Sequence, residues 1–266
     1  MNKCTVTIAG ITAREVTRQT HFYFVVCGGV FLILSSFSFT LFAFGEETRM
    51  IKEMGISTIT VCSLFLASLS ASNTISKEME NSTIMTLLSK PVSKGTILIG
   101  KFFGVVFVVF VVFCLMGGIL IFSLGIRHAA DVHAGLFPSF LRVGADVFPL
   151  VVLSFLQIAV MCAIAIAGAL YLPMVSNVCF CLFIYIFGSL IPLVRGLLEI
   201  DTGVSSLCLS LFFIFFPNLE MYNVLGGESG VGSSSVQLVL VCLYAIFYII
   251  LVLFLSRTIF EKKECY

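Results

Sequence analysis

Residues 102–126 read FFGVVFVVFVVFCLMGGILIFSLGI, 25 consecutive positions without a charged side chain. As an α-helix that stretch is about 37 Å long, more than the hydrocarbon thickness of about 30 Å that a helix of roughly 20 apolar residues must cross. It is apolar on every side, so the solvent it demands is lipid. Further uncharged runs lie at 22–45, 54–76, 147–194 and 230–256. The run at 147–194 has 48 residues, too many for one span and enough for two. It is interrupted at Leu172-Pro173-Met174-Val175-Ser176-Asn177, where proline lacks a backbone donor and pushes the preceding residue out of helical geometry. The expectation is an all-α, polytopic chain forming a single membrane domain over 1–266, with six transmembrane helices near 22–45, 54–76, 102–126, 147–171, 178–194 and 236–256. A further uncharged stretch, 204–216, has only 13 residues and ends at Pro217; it suits a re-entrant or interfacial segment before the sixth span.

The composition agrees. The chain is 59% hydrophobic and 11% charged, with a mean hydropathy of +1.14, whereas soluble domains carry about 25% charged residues. The run at 22–45 exceeds a signal-peptide core and lacks an Ala-x-Ala exit, so it reads as an uncleaved first span. With the N-terminus inside, ten basic residues (Lys3, Arg14, Arg18, Lys77, Lys90, Lys94, Lys101, Arg257, Lys262 and Lys263) fall on the cytoplasmic side. Five (Arg49, Lys52, Arg127, Arg142 and Arg195) fall outside, together with nine of the 14 acids. That bias predicts both termini in the cytoplasm; a bacterial inner membrane is the expected location. A formal net charge of +1 argues against a nucleic-acid partner.

Before the first span, residues 5–20 set Val6, Ile8, Ile11, Ala13 and Val16 among Arg14, Glu15, Arg18 and Gln19, the pattern of an amphipathic elbow helix lying in the interface. The second span carries Ser57, Thr58, Thr60, Ser63, Ser68, Ser70, Ser72 and Thr74 and so should face other helices, or an aqueous path, in preference to lipid. In the fourth, Ala159, Ala163 and Ala167 recur every fourth residue as a ridge for close packing. Seven of the ten cysteines (Cys27, Cys62, Cys114, Cys162, Cys179, Cys181 and Cys242) fall inside expected spans, where a thiol acts as a small apolar group. Cys179-Phe-Cys181 reads as packing before copper or redox chemistry.

Between spans two and three lies the longest cytoplasmic stretch, 77–101. Met79, Thr83, Ile84, Leu87 and Leu88 recur at helical spacing among Lys77, Glu78, Glu80 and Asn81, which describes an amphipathic helix over 77–89. Pro91 stops it, and Ser93 is a suitable N-cap for a second helix running through Lys101 into span three. A helix held at both ends by spans presents a ridge to a cytoplasmic partner; an ordinary loop helix on lipid headgroups would carry the same pattern.

The string KEMENSTIMTLLSKPVSK at 77–94, followed by Ile97-Leu98-Ile99-Gly100-Lys101, resembles the coupling segment of type 2 ABC transporter permeases, whose pattern is roughly E-x-E-x-G-T-x-x-x-L-L-S-x-P-V-S-[RK] and then G-K. Ser82 stands where the family usually has glycine. The elbow helix, the six spans, Pro217-Asn218-Leu219-Glu220 before the last span and the basic tail at 257–263 are also similar to these permeases. The resemblance implies a permease subunit, expected to work as an exporter, whose coupling helix docks on a separate cytoplasmic ATPase through Glu78, Glu80, Thr83, Ile84, Leu87, Leu88, Ser89, Pro91, Val92, Ser93 and Lys94. It implies two permeases, identical or not, with two ATPases, cycling by alternating access in the lipid bilayer. ATP and Mg²⁺ would bind the partner, since this chain has no G-x-x-x-x-G-K-[ST] loop and is expected to hold no cofactor itself.

Other classes fit less well. A secondary transporter would want ionisable ion-coupling residues inside its spans. The main strongly polar side chain there is Gln157, more simply helix glue. A channel would want filter loops or charged rings. An intramembrane enzyme would have to use His128, Asp131 and His133, expected in the outer loop between spans three and four, and their spacing matches no zinc template. A membrane scaffold without transport is the remaining alternative. Nothing in the spans selects a substrate.

Overall fold

The computed structural model describes residues 2–36, 47–80, 94–132, 136–198, 217, 219 and 235–262. Every regular element among them is an α-helix: α1 (Asn2–Thr17), α2 (Thr20–Ser36), α3 (Glu47–Glu80), α4 (Lys94–Val132), α5 (Leu136–Ala169), α6 (Met174–Leu198) and α7 (Ser235–Lys262). Chains this apolar have little choice, because in lipid a helix is the only single segment that satisfies its own backbone.

Four helices are long and apolar enough to cross a membrane: α3 over Arg49–Ile75, α4 over Gly95–Arg127, α5 over Val143–Ala169 and α7 over Val239–Thr258. The pair α1–α2, bent by 69° at residues 18–19, could count as a fifth, broken span. The two other expected spans are seen in part. Of 22–45, α2 supplies the stretch to Ser36 and residues 37–45 lie outside the described residues. The helix of α6 runs to Leu198, and its apolar stretch among the residues described with their side chains is Met174–Leu190.

α3 is the hub, packed against α2, α4, α5 and α6. Of its hydroxyl residues, Thr60, Ser63, Ser68, Ser70, Ser72 and Thr74 are buried, so most of the Ser/Thr-rich face does look at other helices. Several of these hydroxyls donate back to carbonyls of their own helix, Thr60 to Ser57 at 2.8 Å and Ser72 to Ser68 at 2.8 Å, which makes burial tolerable. α5 lies across α3 with Ala159 and Ala163 buried, and its Phe155 meets Phe110 and Phe113 of α4 edge-on, with ring centroids 5.1 and 5.8 Å apart. By contrast α7 is peripheral. Only 17% of its apolar stretch is buried, leaving Leu243, Phe247, Ile250 and Phe254 exposed.

α1 crosses the start of α4 almost backbone to backbone. A Cβ at Gly104 would sit 2.7 Å from Thr12 Cβ and 2.8 Å from the Ala9 carbonyl oxygen, and one at Gly100 would sit 2.8 Å from Ile8 Cγ2. Small residues four apart on one face are what permit this approach.

Helix boundaries differ from expectation in physically readable ways. α5 begins at Leu136, well before the expected 147, and runs through Pro149, whose missing N–H leaves one carbonyl of the preceding turn without its helical partner. The break before α6 is shorter than expected. The Asn177 N–H donates to the Pro173 carbonyl at 3.0 Å, so Pro173 caps α6 and needs no donor of its own. Asn177, expected in the break, is therefore inside α6 and fully buried. Residues 204–216 lie outside the described residues, but Pro217 and Leu219 are buried. They lie against Gly188 of α6, where a Cβ would come 2.8 Å from the Pro217 carbonyl oxygen.

Candidate coupling site

The residues expected to meet a cytoplasmic partner divide sharply. Glu78 and Glu80 belong to the last turn of α3 and Lys94 is the first residue of α4. Thr83, Ile84, Leu87, Leu88, Ser89, Pro91, Val92 and Ser93 lie outside the described residues. The structure therefore describes the two supports of the segment 81–93. The stretch 77–80 is a continuation of α3.

These supports are tied together by Lys101. It is 4% exposed, and its ammonium donates to the Thr74 carbonyl oxygen of α3 at 2.9 Å. A buried ammonium persists only where its protons are met. Thr74 precedes the end of α3 at Glu80 by six residues, and Lys101 follows the start of α4 at Lys94 by seven. At the helical rise these are about 9 and 10.5 Å, so both supports end at about the same height and the segment leaves and returns on one side of the bundle. Ile75, Leu98 and Phe102 are buried around the link. On its far side the Arg257 side chain of α7 reaches the start of α4, where a Cβ at Gly95 would sit 3.0 Å from Arg257 Cδ. Residues of α1 meet the same part of α4, Ile8 lying against Gly100. Sequence reading found Lys101 only as the lysine of a G-K pair and Arg257 only as part of a basic tail. A lysine inside an otherwise apolar helix was the available signal, and its depth in the fold was not.

Lys101→Met keeps the length and apolar stem and removes the charge. A hydrogen bond to a charged group contributes about 1.5–3 kcal/mol, so this substitution should loosen the supports while the bundle still forms. The expected outcome is a monodisperse protein whose affinity for the ATPase that the resemblance implies, titrated in detergent, falls at least about tenfold. Lys101→Arg should recover most of it, and unaltered affinity in the methionine variant would discount the link.

A second buried polar junction lies deeper. Asn177 of α6 donates through Nδ2 to Ser72 Oγ of α3 at 2.7 Å and to the Ala165 carbonyl of α5 at 2.9 Å. Its Oδ1 has no partner among the described residues and lies where a Cβ on Gly168 would be. Three helices are thus pinned by one amide that the sequence did not single out.

The weaker candidates come apart. Cys179 is exposed and Cys181 buried, as expected for neighbours two apart on a helix, which point about 200° apart. α4 runs to Val132, so His128 and Asp131 lie on its last turns and not in a loop; His133 lies outside the described residues. Among the described residues no three His, Cys, Asp or Glu side chains are grouped to hold a metal ion.

With the helical bundle and its paired supports in view, comparison with known families gives one decisive result: the family described as ABC-2 family transporter protein matches residues 31–265. The chain belongs to that family. It is a multi-pass integral membrane protein and a permease component of an ABC transporter, part of the transport apparatus. The match begins within α2 and takes in every later helix, the coupling stretch included. Comparison with curated proteins gave no match.

Proposed function

We propose that this permease forms half of the membrane pathway of an exporter. Its segment 81–93, with Glu78, Glu80 and Lys94 at the margins, docks on a separate cytoplasmic ATPase that binds ATP and Mg²⁺. The observation that carries the reading is the family membership over residues 31–265; the direction of transport rests on the resemblance of 77–101 alone. The paired ends of α3 and α4, held level by Lys101, support it mechanically, since a push on the segment would reach two long spans at once. The proposal includes six spans, with residues 37–45 completing the first and α6 serving as the fifth, α1 lying in the interface and both termini in the cytoplasm. It also includes a second permease, identical or not, because one chain with uncharged spans encloses no obvious path of its own and the family pathway lies between two halves.

Co-expression with a candidate ABC ATPase, one encoded beside it if there is one, tests the reading. Affinity purification through the permease should bring down the ATPase, with two membrane subunits and two ATPases per particle by mass. A particle that hydrolyses ATP and transports with one copy of this chain and no other membrane subunit would contradict the pairing. Absence of any ATPase would favour a scaffold.

A further inference from the structure

At the bend between α1 and α2 the structure holds an open cavity of about 650 Å³, where Arg14, Glu15, Arg18, Gln19 and His21 of the elbow and Asn73 of α3 join the apolar Ile11. Three of these side chains are cationic or can become so, against one carboxylate. Gln19 is the telling residue. It is 9% exposed, and neither its amide nitrogen nor its amide oxygen has a hydrogen-bond partner among the described residues. A buried primary amide with both ends unmet is unfavourable, and this one lines a cavity large enough to hold what would meet it. The cavity also takes in Thr20 and His21, the first residues of α2, and a helix N-terminus favours an anion.

On the other flank of α1 lies an apolar groove of about 1020 Å³, open to the surroundings of the bundle and lined by Gly10, Phe103, Phe107, Phe110 and Phe155. Arg14 lines both the cavity and the groove. A cationic cavity joined through one arginine to an apolar groove matches an amphiphile, with an anionic head in the first and a hydrocarbon chain in the second. A free anion would leave the groove unexplained, and a neutral lipid would leave Arg14 and Arg18 unexplained. We propose that the elbow holds one anionic phospholipid, its phosphate met by Arg14, Arg18 and the Gln19 amide and one acyl chain laid along Phe103 and Phe107. Basic residues near a membrane surface attract anionic lipids in general; the enclosed amide and the shared arginine make this a specific seat. The inference does not depend on the coupling role of 81–93.

The test uses the full permease reconstituted in phosphatidylcholine nanodiscs containing phosphatidylglycerol, then transferred to detergent and weighed by native mass spectrometry. The wild type should retain one phosphatidylglycerol per chain in preference to phosphatidylcholine. Retention should fall at least tenfold in R14Q/R18Q. It should also fall in Gly10→Leu, which fills a groove position where a Cβ meets nothing within 4 Å. Gln19→Leu should raise the unfolding temperature of lipid-stripped protein while lowering retention. An excess of inorganic phosphate should displace none of the bound lipid. Retention equal to wild type in R14Q/R18Q would overturn the proposal. So would displacement by inorganic phosphate, which would mark a plain anion site, or a stabilised Gln19→Leu protein with unchanged retention, which would mark an ordinary packing defect. Circular dichroism of each variant separates loss of lipid from loss of fold.

Discussion

Replacing Leu87 and Leu88 together by aspartate is expected to strip the permease of its ATPase while leaving it in the membrane. On the sequence expectation of a helix over 77–89, Ile84, Leu87 and Leu88 would share one apolar ridge, and burying such a side chain contributes about 1.5–3 kcal/mol. Two buried leucines therefore account for roughly 3–6 kcal/mol of docking before any cost of burying aspartate is added. Loss on that scale reduces affinity by factors of hundreds to tens of thousands. Glu78 and Glu80 flank the ridge, where a rim charge contributes about 1 kcal/mol or less, so Glu80→Ala should only weaken association. Membrane insertion should be unchanged, because the substituted residues lie between spans. Pull-down from detergent separates the cases. A double aspartate variant that keeps its ATPase at wild-type stoichiometry, and still transports, would reduce 81–93 to a plain loop.

Asn177→Asp is expected to be the most destabilising single substitution in the bundle. The amide donates to Ser72 Oγ and to the Ala165 carbonyl in a fully buried position. Aspartate has the same shape and, ionised, no donor, so it would set an anion against a carbonyl oxygen among three helices. Leaving a charge buried and unpaired costs about 3–5 kcal/mol. Asn177→Leu should cost nearer 1 kcal/mol, because the Ser72 hydroxyl already donates to the Ser68 carbonyl and is not orphaned. Thermal unfolding in detergent, followed by circular dichroism, reads this directly. Equal unfolding temperatures for the aspartate and leucine variants would mean that the junction is wet and the amide dispensable.

The two predictions mark how far the sequence could be read. Leu87 and Leu88 follow from periodicity and resemblance alone, and they lie outside the described residues. Asn177 could not be found that way. A lone asparagine beside Pro173 reads as a helix breaker, and only the packing of α3, α5 and α6 turns it into a junction. The extension of α5 back to Leu136 was equally hidden, because Arg142 and Asp146 ended the uncharged run that marked the span. A charge count measures where lipid ends, while a helix continues as long as its backbone bonds are met.

By itself the sequence determined the solvent, the helical class, the approximate places of four spans and the family, since each follows from local features: uncharged length, proline position and one short motif. Which polar groups would meet was decided only by the tertiary structure. Lys101 with Thr74 and Asn177 with Ser72 join residues from different helices. In a chain 59% hydrophobic the apolar pattern specifies that helices form but scarcely which faces adjoin. Without a hydrophobic force between helices in lipid, that choice falls to close-fitting small residues and a few buried hydrogen bonds.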